Sequence, residues 1–198
     1  MIPSFHESKF FVYRFEIFFV SLLVLLFGSV FFPFGLYDTV VEPIFYILNL
    51  FSGIQLSRHH KLLYRLGTVL IGLGLVTTVL EMVLMDSDLK SVAITLRFFV
   101  YFIFYALITY EIISQVWNAK QVSNSVMVGL MSGYICLGLV GLFAFLSIEF
   151  FVPGSFKGLD PSLQMRDQLL YLSYITLLTV GYGDILPATD IAHRASIL

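Results

Sequence analysis

The 198 residues predict an all-α integral membrane protein: five membrane-length helices, then a shorter helix that enters the bilayer and stops. Three observations carry this. The chain is 59% hydrophobic and 12% charged, where a soluble domain carries about 25% charged residues. Mean hydropathy is accordingly +0.93. Five apolar runs are separated by short polar breaks. A sixth apolar stretch ends in Thr-Val-Gly-Tyr-Gly-Asp at residues 179–184, a glycine alternation that no helix continues through.

The runs follow in order. The first covers residues 15–34 and is broken by Pro33 and Gly35. Its length is that of a span, not of a signal-peptide core. The second, residues 40–56, is the weakest, with Asn49, Ser52 and Gln55 inside it. Pro43 is tolerable there because it falls in a first helical turn. The third, fourth and fifth cover residues 62–85, 92–117 and 126–152. At about 1.5 Å per residue, each run reaches most or all of a hydrocarbon core of about 30 Å. The breaks centre on Tyr37-Asp38-Thr39, Arg58-His59-His60-Lys61, Asp86-Ser87-Asp88 and Asn118-Ala119-Lys120-Gln121. Breaks this short make neighbouring helices antiparallel.

Orientation follows from the cations. With the N-terminus cytoplasmic, Lys9, Arg14, Arg58, Lys61, Arg65 and Lys120 fall inside. Lys90, Lys157 and Arg166 fall outside, together with most of the acids. The fifth helix then runs outward. Residues 153–178 are too few for a loop and a further span, so they predict a re-entrant helix. Asp160-Pro161 is its expected start, with Asp as N-cap and Pro in the first turn, and Asp167 is a second candidate. The helix ends at Thr179. Irregular backbone at membrane depth must be buried in protein or line a watery path. Gly181 and Gly183 visit left-handed backbone cheaply. Alternating such residues with ordinary ones lets successive carbonyls face one way, toward a cation, and the Thr179 hydroxyl can join them.

Thr176-Leu177-Leu178-Thr179-Val180-Gly181-Tyr182-Gly183-Asp184 resembles the Thr-x-x-Thr-x-Gly-Tyr-Gly-Asp signature of potassium channels without a mismatch, and Ile185-Leu186-Pro187 continues it as many members do. The motif covers under a tenth of the chain, and the pore region around it about a third. The first four helices resemble, in number and topology only, the accessory helices of six-span tetrameric cation channels.

The resemblance implies a fold of four accessory transmembrane helices (residues 1–122) and a pore module (residues 123–198). That module comprises an outer pore helix, a re-entrant pore helix, a selectivity filter and the start of an inner helix. It implies potassium sites formed by backbone carbonyls of Thr179, Val180, Gly181 and Tyr182, with Gly183 completing the filter. Thr176, Asp184, Tyr171 and Tyr174 would support the filter, the tyrosines standing where many members place tryptophans. Ile175 occupies the position where some relatives carry an acid facing Asp184. One filter strand per chain implies a homotetramer in a plasma or inner membrane, with the filter mouth extracellular. Potassium would be the permeant ion, and no cofactor is implied.

Two other readings stand beside this one: the pore subunit of a potassium uptake system, and a non-conducting scaffold with a retained motif. Potassium channels continue past this point with an inner helix of about 20 residues, of which residues 188–198 would be only the start. A fragment, or a chain unable to complete a pore alone, is therefore expected, with any cytoplasmic regulatory domain or ligand site beyond residue 198.

The remaining features read as structural. Steep voltage sensing needs several cations on the fourth helix, which carries only Arg97. Arg97 is expected to pair with Glu81 or Asp88 near the outer face. Glu81 and Glu111 lie near helix ends, where they can reach the interface. The Arg58–Lys61 cluster reads as a positive-inside anchor, although pH sensing by its histidines and contact with anionic lipid are open to it. Trp117 reads as an interface residue. Gly129, Gly133, Gly138 and Gly141 predict close approach of the fifth helix to the inner helix or a neighbouring subunit; Gly67, Gly72 and Gly74 predict the same on the third. Cys136 reads as a small buried hydrophobe. A net charge of -2 offers nothing to nucleic acid, and no nucleophile–base pair, phosphate loop or His–carboxylate cluster suggests an enzyme.

Overall fold

The computed structural model describes residues 13–32, 37, 41–84, 87–119, 121 and 123–197, without the side chains of His59, Met82, Ser87 and Asp88. Lys9, Pro33, Gly35, Asp38, Thr39, Val40, Asp86 and Lys120 lie outside these residues.

The chain is mostly helical, and each apolar run contains a helix. These are α1 (Arg14–Phe27), α2 (Glu42–Ile54), α3 (Lys61–Val83), α4 (Ser87–Trp117) and α5 (Asn124–Phe151). Single 3₁₀ turns at Gly28–Val30 and Gln55–His59 extend α1 and α2. After α5 come β1 (Phe156–Lys157), α6 (Met165–Leu177), β2 (Leu186–Pro187) and α7 (Asp190–Ala195). Among the described residues, three helices are long and apolar enough to cross a membrane: α3, α4 and α5. The α-helical parts of the first two runs are shorter than expected, at 14 and 13 residues, or about 20 Å each.

The residues group into two compact units. The first joins Met1–Gly72 with Leu107–Tyr134. Its core begins where α1 meets α2. Phe15, Phe18, Leu22 and Leu25 recur every three or four residues and form the buried stripe of α1. Against it lie the polar residues that made the second run look weak. The Asn49 amide donates to Ser21 Oγ at 2.9 Å, and Ser21 and Ser52 share a hydrogen bond of 2.7 Å. Asn49 is fully buried. In an apolar surround such bonds hold helices together, so these residues face the neighbouring helix and leave the apolar ones outward. Past α1, the Tyr37 hydroxyl donates to the Leu25 carbonyl at 3.0 Å.

A second polar knot closes this unit. Arg14 donates to Gln115 Oε1 at 3.1 Å, and the Gln115 amide donates to Glu111 at 2.6 Å and to the Leu56 carbonyl at 2.7 Å. Glu111 is therefore fully buried, not interfacial as its sequence position suggested. A buried carboxylate needs a donor, and Gln115, one turn on, supplies it. Ser125 at the start of α5 donates to Glu16 of α1. Trp117 is exposed.

The second unit joins Leu73–Ala106 with Ile135–Leu198. Arg97 of α4 pairs with Glu81 of α3, one of the two partners its position allowed. Beside them Tyr101 bonds the Thr78 hydroxyl. Tyr101 and Tyr105 meet Phe143 of α5 at 5.3 and 5.7 Å between ring centres.

The glycines of α5 are contact points with other helices of the same chain. A Cβ on Gly129 would lie 2.9 Å from the Phe15 ring, and one on Gly133 would lie 3.1 Å from Ile112. On Gly138 and Gly141 it would overlap Tyr174 and Ser173 of α6. The partners are thus α1 and α4 in the first unit and α6 in the second. On α3, Gly67 abuts Ile54, whereas Gly72 faces open space and makes no close approach. Cys136 is buried.

Candidate functional site: α6 and the glycine alternation

The second unit carries the segment with the signature residues. α6 begins at Met165, not at Asp160, with Gln164 as the residue before it and Asp167 in its first turn. Asp160 instead starts a turn. Its carboxylate accepts from the Ser162 amide at 2.8 Å and hydroxyl at 2.7 Å, which hold it below its usual pKa. The Gln168 side chain accepts from the Asp160 amide at 2.7 Å and donates to its carbonyl at 2.9 Å.

Two side chains anchor α6 to α5. The Ser173 hydroxyl donates to the Gly138 carbonyl at 2.7 Å, and the Tyr174 hydroxyl donates to the Ile135 carbonyl at 2.9 Å. Gly138 and Gly141 supply the room for this approach. Tyr174 therefore reaches α5 and holds the helix, while Tyr171, about 60° round the helix, reaches the signature residues.

The end of α6 is a Schellman cap. The Val180 amide donates to the Ile175 carbonyl at 2.8 Å and the Thr179 amide to the Thr176 carbonyl at 3.0 Å. The left-handed residue of such a cap is usually glycine; here it is Thr179, at φ +57°. For a β-branched residue this conformation stores about 1–3 kcal/mol and occurs where the surroundings enforce it. Gly181 at +53° and Gly183 at +79° follow. Left-handed residues thus alternate with ordinary ones from Thr179 to Gly183. Nothing in the sequence marks Thr179 as left-handed, since threonine disfavours it. The signal is the position, two before Gly181 in the same alternation.

Residues 179–184 are exposed in the single chain. Tyr182 stacks on Tyr171, with ring centres 6.5 Å apart and planes 6° from parallel. The Tyr171 hydroxyl donates to Asp184 Oδ2 at 2.8 Å. Desolvation, then this bond to Asp184, raises the Tyr171 pKa, so at neutral pH the phenol keeps the proton it donates. Asp184 has Tyr171 as its partner, one helical turn before Ile175. Thr176 joins the group through its carbonyl.

The stretch after Asp184 is clamped by the loop after α5, a contact that sequence reading missed. β1 pairs antiparallel with β2, Phe156 opposite Pro187 and Lys157 opposite Leu186. The Ala188 amide donates to the Ser155 carbonyl at 2.7 Å, and Thr189 bonds the Ser155 hydroxyl at 3.1 Å. Glu149, at the end of α5, accepts from the Gly154 and Phe156 amides at 2.7 and 3.1 Å and shapes the loop. Gly158, at φ +91°, lies so close to the Asp184 carbonyl that a Cβ would overlap it. The Gly154–Gly158 spacing was the available signal. Beyond β2, Thr189 caps α7 by accepting from the Ala192 amide.

A family model described as an ion channel matches residues 164–198, which hold α6, the glycine alternation, β2 and α7. The match and the three long apolar helices support a membrane protein with an ion-channel segment. No curated protein and no solved structure matches the chain.

Proposed function

We propose that this chain is one subunit of a potassium-selective channel that conducts ions passively through a ring of backbone carbonyls. The observation that carries the reading is the alternation of left-handed backbone at Thr179, Gly181 and Gly183. In a regular strand successive carbonyls point to opposite sides. Left-handed residues placed at every second position bring them to one side, where they can replace the hydration shell of a cation. The sites would be the carbonyls of Thr179, Val180, Gly181 and Tyr182, with the Thr179 hydroxyl. One filter strand encloses nothing, so the reading requires three further copies around the ion path. The exposure of residues 179–184 in the single chain fits that requirement. The C-terminal end of each α6 dipole would favour a cation at the axis. The N-terminus would be cytoplasmic and the filter mouth extracellular, in a plasma or inner membrane.

The test is reconstitution of the chain, within its full-length protein where one exists, and measurement of reversal potentials under opposing potassium and sodium gradients. Potassium should be strongly preferred; equal permeabilities would sink the proposal. A second test separates support from ion contact. Tyr171→Phe keeps the stack on Tyr182 and removes the bond to Asp184. That bond is worth about 1 kcal/mol, so current should decay about fivefold faster during sustained opening, with selectivity intact. Unchanged decay would show that Tyr171 does not brace the filter.

A further inference from the structure

The start of α3 carries a feature that ion passage leaves unused. Arg58, His60, Lys61 and Arg65 are exposed, and the three Arg and Lys side chains have no acidic partner among the described residues. No acid occurs in the sequence between Glu42 and Glu81. Two described acids of this unit are engaged elsewhere, Glu16 with Ser125 and Glu111 with Gln115. Lys61 and Arg65 are four residues apart on one helix and so lie on adjacent turns of the same face.

Apolar side chains continue directly from these cations. Leu62, Leu66 and Val69 are 70%, 43% and 59% exposed. Their spacing of four and three residues places them in one stripe. α3 is one of the three helices long and apolar enough to span a bilayer. At its first two turns, unneutralised cations therefore stand beside side chains that face hydrocarbon. That arrangement complements a molecule with an anionic head and an apolar tail. An acidic protein surface would satisfy the cations but could not follow the stripe into the bilayer.

We propose that Arg58, Lys61 and Arg65 bind the phosphate headgroup of an anionic membrane lipid whose acyl chain lies along Leu62, Leu66 and Val69. Long cationic side chains reach the headgroup level while their stems stay on apolar surface. The proposal rests on α3 spanning the membrane and is independent of which ion the chain conducts.

Native mass spectrometry of the full chain in detergent, titrated with phosphatidylglycerol or phosphatidylcholine, tests it without any measurement of current. Phosphatidylglycerol should bind in preference to phosphatidylcholine. A cation beside a lipid headgroup changes affinity about fivefold. Arg65→Gln alone should therefore weaken phosphatidylglycerol binding about fivefold, and the triple variant Arg58→Gln, Lys61→Gln, Arg65→Gln about 100-fold. These side chains are exposed and glutamine is a good helix former, so helix content by circular dichroism should not change. Lys90→Gln, Lys157→Gln, Arg166→Gln removes the same charge elsewhere and should leave binding as it was. Glycerol phosphate, which lacks the acyl chains, should not compete. Equal binding of the two lipids, an unchanged triple variant, an equal loss in the charge-matched control, or effective competition by glycerol phosphate would each overturn the proposal.

Discussion

In the proposed carbonyl ring, Gly181→Ala is expected to abolish selective potassium current. Gly181 sits at φ +53°, with no atom within 4 Å of where its Cβ would be. The single chain has room for the methyl group, so the penalty is conformational. A left-handed alanine costs about 1–2 kcal/mol, and in the proposed ring that cost recurs in every subunit. The backbone relieves it by rotating, which turns the carbonyls on either side of Gly181 away from their common side. A cation then meets an incomplete ring and does not shed its water. Reversal potentials and potassium flux from the reconstituted variant check this. Wild-type flux with wild-type selectivity would remove the basis for the carbonyl ring.

The second large effect is expected outside the signature. Gly158→Ala places a methyl group into the Asp184 carbonyl at a residue whose φ is +91°. The backbone strain alone is about 1–3 kcal/mol, and the overlap adds to it, because its partner is main chain and cannot rotate aside. Either β1 separates from β2 or Asp184 moves. If Asp184 moves, the Tyr171–Asp184 bond lengthens with it. Sustained potassium current should fall at least tenfold, while the helical signal in circular dichroism is kept, because Gly158 lies outside every helix. Full sustained current would mean that the loop after α5 does not hold the filter exit. The comparison with Tyr171→Phe is informative. Both act on Asp184, one from the helix side and one from the loop side, so their effects should not add.

Much of the architecture was legible because its causes are local. Each apolar run holds a helix, since hydrophobic length and polar breaks act within a few residues. Gly181 and Gly183 were expected at positive φ because no other residue takes it cheaply. The misreadings have a shared cause in distant partners. Asn49 and Ser52 looked like flaws in a span, yet they bond Ser21 on another helix. Glu111 looked interfacial by its position, yet it is fully buried and Gln115 donates to it. Asp160-Pro161 had the composition of a helix start, but Gln168 reaches back and holds that backbone as a turn. Tyr171 and Tyr174 were equivalent in sequence. Three residues apart on a helix, they diverge by about 60°, and the glycine-lined surface of α5 takes one while Asp184 takes the other.

The sequence by itself determined that this is a membrane chain of helices with an ion-channel segment near residue 198, because composition, run length and the glycine alternation need no partner to act. Only the tertiary structure decided that Thr179 joins the two glycines in left-handed backbone. It also decided that Glu149 and Gly158 shape the loop beside Asp184. The approach of Gly158 to Asp184 and the β1–β2 pairing join segments some 30 residues apart, whereas Thr179 takes its left-handed backbone within the cap bonds that close the last turn of α6.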